Sequence, residues 1–405
     1  MQQYINPRFV YHGEGALDAL KGLKGKKAVI CIGGGSIKKS GHLDTIEANL
    51  KEAGFETKLI EGIESDPSVD TVLAGAKVME EFGPDWIVAV GGGSPIDAAK
   101  AMWVKYEYPD ITFEQMCTPF GLPEMRTKAK FCAITTTSGT GTEVTAFAVI
   151  TDYEKGIKYP MADFEITPDV AIVDPALVAG LPPKLVAFTG MDALTHAIEA
   201  YVSTARSAYT DAMALHAIRM IQDNLVASYA GDQVARAAMH DAQCIAGMAF
   251  SSGLLGIVHS MAHKTGAAFE GGHIIHGCAN AMYLPKVIKF NAGNRESAER
   301  YAQISDAIGL CGKTRADKVE ALIEFCLAFN REMNIPNCIS EYGEGGKKVA
   351  AGEGFVGVAE FESKLSDIAA NALLDACTLS NPREIGQAQM ERMLNAVYYN
   401  EEIYF

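Results

Sequence analysis

The sequence predicts an N-terminal α/β domain with a parallel sheet, followed by an all-helical C-terminal domain. Its 405 residues, 48% of them hydrophobic, exceed what one ordinary core accommodates. In the first half, short β-rich runs alternate with helical patterns, which is typical of a parallel sheet covered by helices. After Pro182 and Pro183, Ala, Leu and Met recur at helical spacing almost to the C-terminus. We therefore predict domains at residues 1–183 and 184–405.

The α/β elements follow one another closely along the chain. Apolar runs of strand length are separated by stretches with helical periodicity. We predict helices at 37–53 and 68–82, and strands at 28–32, 57–63, 86–90, 131–135 and 170–173. The second half has few strand signals, and its Gly-rich stretch 341–357 is predicted to be a loop.

Composition excludes several kinds of partner and compartment. A formal charge of −15, spread along the chain, disfavours nucleic acids and anionic membrane surfaces. The nine cysteines include no CxxC pair and are odd in number, which indicates reduced thiols and a cytoplasmic location. No secretory signal pattern opens the chain, and no apolar run reaches the roughly 18 residues of a membrane span. We expect neither export nor membrane insertion.

The strongest cofactor signal is GGGSPIDAAK, from Gly91 to Lys100, directly after the strand WIVAV. Glycines allow backbone N–H groups to approach a pyrophosphate, and Ser94-Pro95 suits the start of a helix whose dipole attracts anions. The motif is not the usual GxGxxG, because Ile96 stands where the last glycine belongs. The alternative is a tight strand-to-helix turn without a ligand.

A second glycine run, GGGSIKKSG from Gly33 to Gly41, follows the first strand. Doubly wound folds receive the adenosine end of a dinucleotide at this position. The turn has no Asp or Glu for the ribose hydroxyls and supplies Ser36, Lys38 and Lys39, which favours NADP(H) while leaving NAD(H) open. The alternative is a solvated helix start with ordinary exposed lysines.

A third polar loop is TTTSGTGTE, from Thr135 to Glu143. Its hydroxyls and backbone donors could bind phosphate or ribose, although such clusters are more often plain turns. The GKT at 312–314 is not a phosphate-binding loop, because Ala307 replaces the required glycine.

Four histidines and one aspartate predict a metal site on helices. Asp192 and His196 are four residues apart, as are His259 and His263, and His276 follows shortly after. Residues i and i+4 share a helix face, so each pair can point into one cavity. One carboxylate with imidazoles suits Fe(II) or Zn(II) better than Mg(II). Each pair alone could be a helix-surface hydrogen bond. Four further histidines, which we interpret as structural or surface residues, are His12, His42, His216 and His240.

Five motifs together resemble the successive signatures of the iron-containing (group III) alcohol dehydrogenase family. In chain order they are GGGSPIDAAK, TTTSGTGTE, GMDALTHAIEAYVS, VHSMAHKTG and HGCANAMYLPKV, and NPRE near Asn381 resembles the C-terminal pattern. The resemblance extends from about Tyr4 to Tyr399, and the GGGS at Gly33 to Ser36 is similar to that of the butanol dehydrogenase-like, NADP-using branch. It implies a Rossmann-like first domain, a helical second domain and a cleft holding NAD(P) above the metal.

The resemblance also implies roles for individual residues. His263 becomes the histidine beside the nicotinamide, while Phe250 and Phe147 become substrate-pocket residues. The metal ligands become Asp192, His196, His259 and His276. The extra His273 in GGHIIHG is an alternative to His276 as ligand, although His276 keeps the HGxAN context.

We assign the dinucleotide to the three polar loops and one later lysine. Asp97 is also a catalytic candidate. The cofactor set is Gly33, Gly34, Gly35, Ser36, Lys39, Gly91, Gly92, Gly93, Ser94, Asp97, Thr136, Thr137, Ser138, Thr140 and Lys158.

The predicted activity is hydride transfer between NAD(P)(H) and a short- to medium-chain primary alcohol or aldehyde, such as butanol or butanal. The metal would act as a Lewis acid, and His263 would relay the proton or fix the cofactor. Two alternatives remain: a zinc polyol dehydrogenase of the glycerol type, and a non-catalytic nucleotide-binding protein. The resemblance also implies a homo-oligomer, a dimer or larger.

Overall fold

A computed structural model describes residues 3–155, 157–270 and 272–405 of this chain. The chain divides into two compact units, Met1–Gly180 and Leu181–Phe405. The first is an α/β unit and the second is helical. We describe each unit by itself.

The α/β unit is built on a six-stranded sheet in the order β1-β8-β5-β4-β2-β3, with every neighbouring pair parallel. A separate antiparallel hairpin joins β6 to β7. Within the described ranges, the strands are β1 (Phe9–His12), β2 (Lys27–Ile32), β3 (Glu56–Ile60), β4 (Trp86–Gly91), β5 (Lys130–Thr135), β6 (Phe147–Asp152), β7 (Ile157–Ala162) and β8 (Val170–Val173). The five predicted strands are confirmed, although β3 ends at Ile60 and not at residue 63. Strand β1 and the hairpin were not predicted.

Helices cover this sheet on both faces. They are α1 (Ser36–Lys39), α2 (His42–Glu52), α3 (Val69–Phe82), α4 (Gly93–Glu107) and α5 (Phe113–Met116). The predicted helix 68–82 is confirmed, with Ser68 capping its N-terminus. The continuous helix predicted at 37–53 is wrong, because Gly41 adopts a left-handed φ of 78° and separates α1 from α2.

The inner strands of this sheet are buried on both sides, as is typical of parallel sheets. In β2, Val29 and Cys31 belong to the core shared with α3 and α4. Ala28, Ile30 and Ile32 belong to the core on the opposite face, with α2. This double burial makes the sheet a rigid support for the loops at its carboxyl edge.

The second unit is a stack of helices. They are α6 (Pro183–Val202), α7 (Ala208–Tyr229), α8 (Gln233–Gly253), α9 (Ile257–Thr265), α10 (His276–Asn291), α11 (Arg295–Ala307), α12 (Arg315–Glu332), α13 (Val358–Leu373) and α14 (Gln387–Tyr399). Helices α6, α7 and α8 pack against one another, and α10 packs against α6 and α9. Helix α6 is buried over nearly its whole length, so its polar residues face other helices instead of solvent.

The helices in the part of the chain that the structure describes can be compared with membrane spans by length and hydropathy. No single helix is long and apolar enough to cross a bilayer. Helices α8 and α9 taken together are long and apolar enough for a span, but the chain bends by 102° between them.

Candidate metal and nucleotide sites

Three helices of the second unit bring the predicted metal ligands together. Asp192 and His196 lie one turn apart on α6, His259 lies on α9, and His276 begins α10. The Oδ1 atom of Asp192 is 3.9 Å from Nε2 of His196, 3.7 Å from Nε2 of His259 and 3.5 Å from Nε2 of His276. Ligand atoms of Asp192, His259 and His276 all lie within 4.8 Å of one another. One carboxylate oxygen therefore has three imidazole nitrogens within 4 Å.

Burial distinguishes the four side chains. Asp192 and His196 are each 5% exposed and His259 is 1% exposed, whereas 40% of the His276 side chain is accessible. The cluster therefore opens to solvent on the side of His276. A small molecule can reach it there.

Glu199 fixes the orientation of His259. Its Oε2 lies 2.6 Å from Nδ1 of His259, and its Oε1 accepts a 2.8 Å hydrogen bond from the backbone N–H of Val258. When this carboxylate accepts from Nδ1–H, the Nε2 lone pair stays available on the Asp192 side. Metal-binding histidines commonly show this arrangement, so the donor set fits Fe(II) or Zn(II).

Asn280 lies among the ligand atoms. Its Nδ2 donates to Oδ1 of Asp192 at 2.7 Å and lies 3.2 Å from the Nε2 atoms of both His259 and His276. Its Oδ1 is buried and has no hydrogen-bond partner among the described residues. An orphaned amide oxygen beside three converging donor atoms is consistent with a site built to hold an ion.

The charges in this cluster suit metal binding. Burial tends to raise the pKa of Asp192, but the charges of His196 and His276 and the hydrogen bond with His259 hold it well below its usual range. Burial tends to lower the pKa of His259, but hydrogen bonds with Asp192 and Glu199 raise it to about 9. Asp192 therefore remains a carboxylate, and His259 must release a proton when it binds a metal.

The remaining predicted residues of this unit surround the cluster. The rings of His263 and His276 are stacked, with centroids 5.4 Å apart. Phe250 stacks on His196 at 4.2 Å and is only 5% exposed, so it supports a predicted ligand. His273 is exposed and lies outside the group of converging donor atoms.

Two loops of the α/β unit meet at the carboxyl edge of its sheet, after β4 and β5. A Cβ added at Gly92 would lie 3.1 Å from Cγ2 of Thr137, and one at Gly93 would lie 3.5 Å from Cγ2 of Thr140. The Oγ1 atoms of Thr137 and Thr140 are buried and have no hydrogen-bond partner among the residues described. Helix α4 begins beside them and has no side-chain cap. Unpartnered hydroxyls and free helix N–H groups fit the phosphates of a dinucleotide.

The Gly33 to Ser36 turn follows β2, the neighbour of β4 in the sheet. Gly34 and Gly35 are exposed, and a Cβ at either would meet nothing within 4 Å. Lys38 forms an ion pair with Glu61, whereas Lys39 is exposed and forms no ion pair within the described ranges. Lys39 is therefore the cation that remains available at this turn.

Other predicted cofactor residues have contacts inside the α/β unit. Asp97 accepts hydrogen bonds from Oγ1 of Thr142 at 2.7 Å and from the N–H of Val149 at 3.1 Å. Lys158 pairs with Asp66 at 2.9 Å. Phe147, at the start of β6, is half-buried. These contacts connect the loop after β5 to the hairpin and to α4.

Lys100 was missed by the sequence analysis. It is fully buried, and its Nζ donates to the backbone oxygens of Thr142, Thr145 and Phe147 at 2.7 to 2.8 Å. Lys100 therefore holds the segment between β5 and β6 against α4.

Three supporting residues of the helical unit were also missed: Glu199, Asn280 and Asp375. Helical spacing could have indicated two of them, because Glu199 follows Asp192 by seven residues and Asn280 follows His276 by four. Asp375, whose Oδ2 lies 3.1 Å from Nδ1 of His263, is 112 residues away in sequence and gave no such signal.

Comparison with known proteins identifies relatives over the whole chain. Residues 7–175 match the family described as iron-containing alcohol dehydrogenase, and residues 186–398 match its C-terminal domain. The chain is 55% identical over 405 residues to an NADPH-dependent butanol dehydrogenase of Clostridium saccharobutylicum, covering 100% of both chains.

Two further similarities agree with this match. The chain is 40% identical to a bifunctional aldehyde-alcohol dehydrogenase of Escherichia coli, using 98% of this chain but only 46% of that relative. The structure resembles that of an iron-containing alcohol dehydrogenase from Thermococcus thioreducens, with a TM-score of 0.87, 33% identity and coverage of 98% and 100%.

Proposed function

This chain belongs to the iron-containing alcohol dehydrogenase family, and from that premise we propose that it interconverts short- to medium-chain primary alcohols and aldehydes with NADP(H). The observation that supports this most strongly is the convergence of one carboxylate and three imidazoles in the helical unit. The butanol dehydrogenase relative, which aligns from end to end, supports the substrate class and the cofactor.

We assign the metal to Asp192, His196, His259 and His276, with Fe(II) as the resident ion and Zn(II) as a substitute that the same donors accept. A divalent ion in this site supplies Lewis-acid chemistry toward an alcohol or carbonyl oxygen. Glu199 orients the ring of His259, and Asn280 orients the carboxylate of Asp192, each through a hydrogen bond. In this proposal residues 184–405 form the metal-binding and catalytic domain.

We assign the dinucleotide to residues 1–183. The free N–H groups at the start of α4 and the hydroxyls of Thr137 and Thr140 would bind the pyrophosphate. Ser36 and Lys39 would bind the 2′-phosphate, which makes NADP(H) the preferred cofactor and NAD(H) the weaker one. The nicotinamide supplies the hydride chemistry.

The protein side chains supply the proton and orient the substrate. His263 accepts a proton from the alcohol during oxidation and returns it during aldehyde reduction. Phe250 in the helical unit and Phe147 in the α/β unit are each proposed to favour substrates with apolar chains. Asp97, a catalytic candidate from the sequence, has contacts that favour support of the nucleotide loop.

We also propose a cytoplasmic homo-oligomer, a dimer or larger. The described part of the chain contains no disulfide, which is consistent with a reducing compartment. Size-exclusion chromatography with light scattering tests the oligomeric state directly, and a monomer at micromolar concentration would contradict that part of the proposal.

The proposal is tested by metal reconstitution. The protein is purified anaerobically, stripped of metal and reloaded with Fe(II) or Zn(II), and oxidation of NADPH and NADH with butanal is followed. We expect Fe(II) to restore turnover and NADPH to react faster than NADH. Zinc-restored oxidation of vicinal diols with NAD would support a polyol dehydrogenase instead. Cofactor binding without turnover on any alcohol or aldehyde would indicate a non-catalytic nucleotide-binding protein.

A further inference from the structure

Asp375 uses both of its carboxylate oxygens. Oδ2 lies 3.1 Å from Nδ1 of His263 and 3.0 Å from Nζ of Lys264, and Oδ1 accepts a 3.1 Å hydrogen bond from the N–H of Cys377. The side chain is 8% exposed, so protein donors replace water around it. A carboxylate held by three donors has one fixed orientation.

The hydrogen bond between His263 and Asp375 has a defined donor and a defined acceptor. Burial tends to raise the pKa of Asp375, but the hydrogen bond and charge of His263 and the charge of Lys264 keep that pKa well below its usual range. An ionised carboxylate only accepts hydrogen bonds, so Nδ1 of His263 carries the hydrogen. In the neutral ring, Nε2 then holds the free lone pair.

His263 lies beside two of the proposed metal ligands, His259 and His276. It lies one turn after the predicted ligand His259 on α9, and its ring stacks at an interplanar angle of 10° on that of His276. The His263 side chain is 29% exposed, and that of His276 is 40% exposed. His263 therefore borders the open side of the metal cluster.

A second metal site is a weaker explanation of the same group. Donor atoms of His263, Asp375 and Cys377 lie within 4.8 Å of one another. However, burial and the nearby Asp375 charge raise the pKa of the Cys377 thiol well above its usual value, so a metal would have to displace its proton. Lys264 already neutralises Asp375, which leaves little charge to attract a cation.

We infer that Asp375 is a positioning residue that, together with Lys264, holds His263 in the tautomer with a free Nε2. This inference rests on the proposed function. In alcohol oxidation the O–H bond breaks and its proton goes to Nε2. The carbon-bound hydrogen leaves with its electron pair to oxidised NADP, and the carbonyl forms. Aldehyde reduction reverses both transfers, with NADPH as reductant and the His263 imidazolium as proton donor.

The substitution D375N tests the role of the carboxylate. Asp375 caps the short 3₁₀ helix Ala376–Ser380, and asparagine caps a helix start as well as aspartate does, so the bond to Cys377 is kept. Its NH₂ group, however, can donate to Nδ1 and favour the opposite tautomer. We expect kcat to fall by about 10²-fold or more, the usual contribution of a positioned acid-base group. We expect KM to change by less than about threefold and bound metal to be unchanged.

A double substitution separates positioning from a structural role. If Asp375 acts through His263, D375N in an H263A background should lower kcat by less than about twofold further, because the two residues act as a unit. Independent, additive losses would overturn the inference. The matched control is D232N, because Asp232 caps α8 through Ala235 and we expect it to leave kcat unchanged.

A measurement of the tautomer does not depend on activity. Histidine ¹⁵N shifts in the diamagnetic zinc-loaded protein report which ring nitrogen is protonated, and the H263A spectrum identifies the signal among the nine histidines. We expect Nδ1–H in the wild type and Nε2–H in D375N. Nε2–H in the wild type would overturn the inference even if alcohol turnover is normal. Absence of turnover with the expected tautomer would count against the proposed function alone.

Discussion

Glu199 and His259 form a buried pair, with Oε2 of the glutamate 2.6 Å from Nδ1 of the histidine. Glu199 lies seven residues after Asp192 on α6, so one helix carries a proposed ligand and also the carboxylate that orients a ligand from α9. The other oxygen of Glu199 accepts from the backbone of Val258. Both carboxylate oxygens of Glu199 therefore help to fix the orientation of the His259 ring.

We predict that E199Q weakens metal binding while the protein still folds. The glutamine NH₂ can donate to Nδ1 of His259, which places the proton on Nε2 and blocks the metal-facing lone pair. Losing a carboxylate partner of this kind typically costs about 10- to 100-fold in metal affinity. The affinity is measured by competition with a chelator, followed by elemental analysis.

A half-buried acid with a different partner serves as the control for E199Q. Asp211 on α7 pairs with Arg300 at 2.6 Å, away from the ligands. D211N should keep wild-type metal affinity. If E199Q also keeps it, the orienting role of Glu199 is wrong.

The choice between His276 and His273 is tested by a pair of alanine substitutions. Nε2 of His276 lies 3.5 Å from Asp192, whereas His273 is exposed and its backbone oxygen accepts a hydrogen bond from the hydroxyl of Tyr342. We expect H276A to lose its iron and its turnover and H273A to keep both. Iron per chain and NADPH oxidation are the measurements. Loss of iron in H273A alone would transfer the ligand role to His273.

Thr137 and Thr140 lead to a prediction that separates stability from binding. Because their buried hydroxyls have no protein partner among the described residues, T137V and T140V remove an uncompensated polar group at nearly constant shape. The melting temperature should stay constant or rise. NADPH affinity should fall, by roughly 0.5–1.5 kcal/mol per lost hydrogen bond. Calorimetry of unfolding and titration of NADPH fluorescence measure the two effects, and unchanged affinity in both variants would remove these hydroxyls from the nucleotide site.

Local patterns predicted five of the six strands of the sheet but neither β1 nor the hairpin. The strands that lie between neighbours are nearly continuous apolar runs, and each was predicted. The hairpin β6–β7 is supported by contacts outside its own sequence: Asp97 accepts from the Val149 N–H, and Phe120 donates its N–H to the Ala162 carbonyl. Periodicity cannot show such contacts. Gly41 was visible in the sequence, but its left-handed φ depends on the turn that it makes.

In the candidate site, too, residues with a local sequence pattern were predicted and residues that depend on distant contacts were not. Asp192, His196, His259 and His276 were predicted because ligand pairs on helices have a fixed spacing. The groups that orient them were not, since Glu199 reaches His259 over 60 residues and Asp375 reaches His263 over 112. Supporting contacts depend on how helices pack, and one sequence does not encode that as a local pattern.

Gly34 provides a direct test of cofactor preference. It is exposed, and a Cβ there would meet nothing within 4 Å, so a side chain is tolerated. In G34D a carboxylate at the end of β2 would bind ribose hydroxyls and repel a 2′-phosphate. Since like charges brought together cost several kcal/mol, we expect the NADPH-to-NADH ratio of kcat/KM to fall by about 10²-fold.

The neutral control is G34N, which has the same shape without the charge. It should change the cofactor ratio far less than G34D. If the two variants behave alike, bulk at this turn and not charge determines the preference, and the assignment of the 2′-phosphate to this turn fails.

Asp97 gives the α/β unit a defined pH dependence. Burial raises the pKa of Asp97 to about 6, which outweighs the opposing charge of Lys100 and the hydrogen bonds with Thr142 and Val149. An unfolded aspartate has a pKa of about 3.9, so between pH 4 and 6 the folded unit holds a proton that the unfolded chain has lost. Protonated Asp97 therefore adds about 3 kcal/mol to the free energy of unfolding. This stabilisation is complete below about pH 4 and is lost as the pH rises through about 6.

The measurement compares wild type with D97N, which cannot titrate at this position. Trp86 and Trp103, the two tryptophans of the chain, both lie in the α/β unit, so their fluorescence reports its unfolding in urea. The free energy of unfolding of the wild type minus that of D97N should decrease as the pH rises from 4 to 7. A constant difference over this range would show that Asp97 is equally ionised in both states, and its carboxylate would then support the nucleotide loop as an ordinary ion.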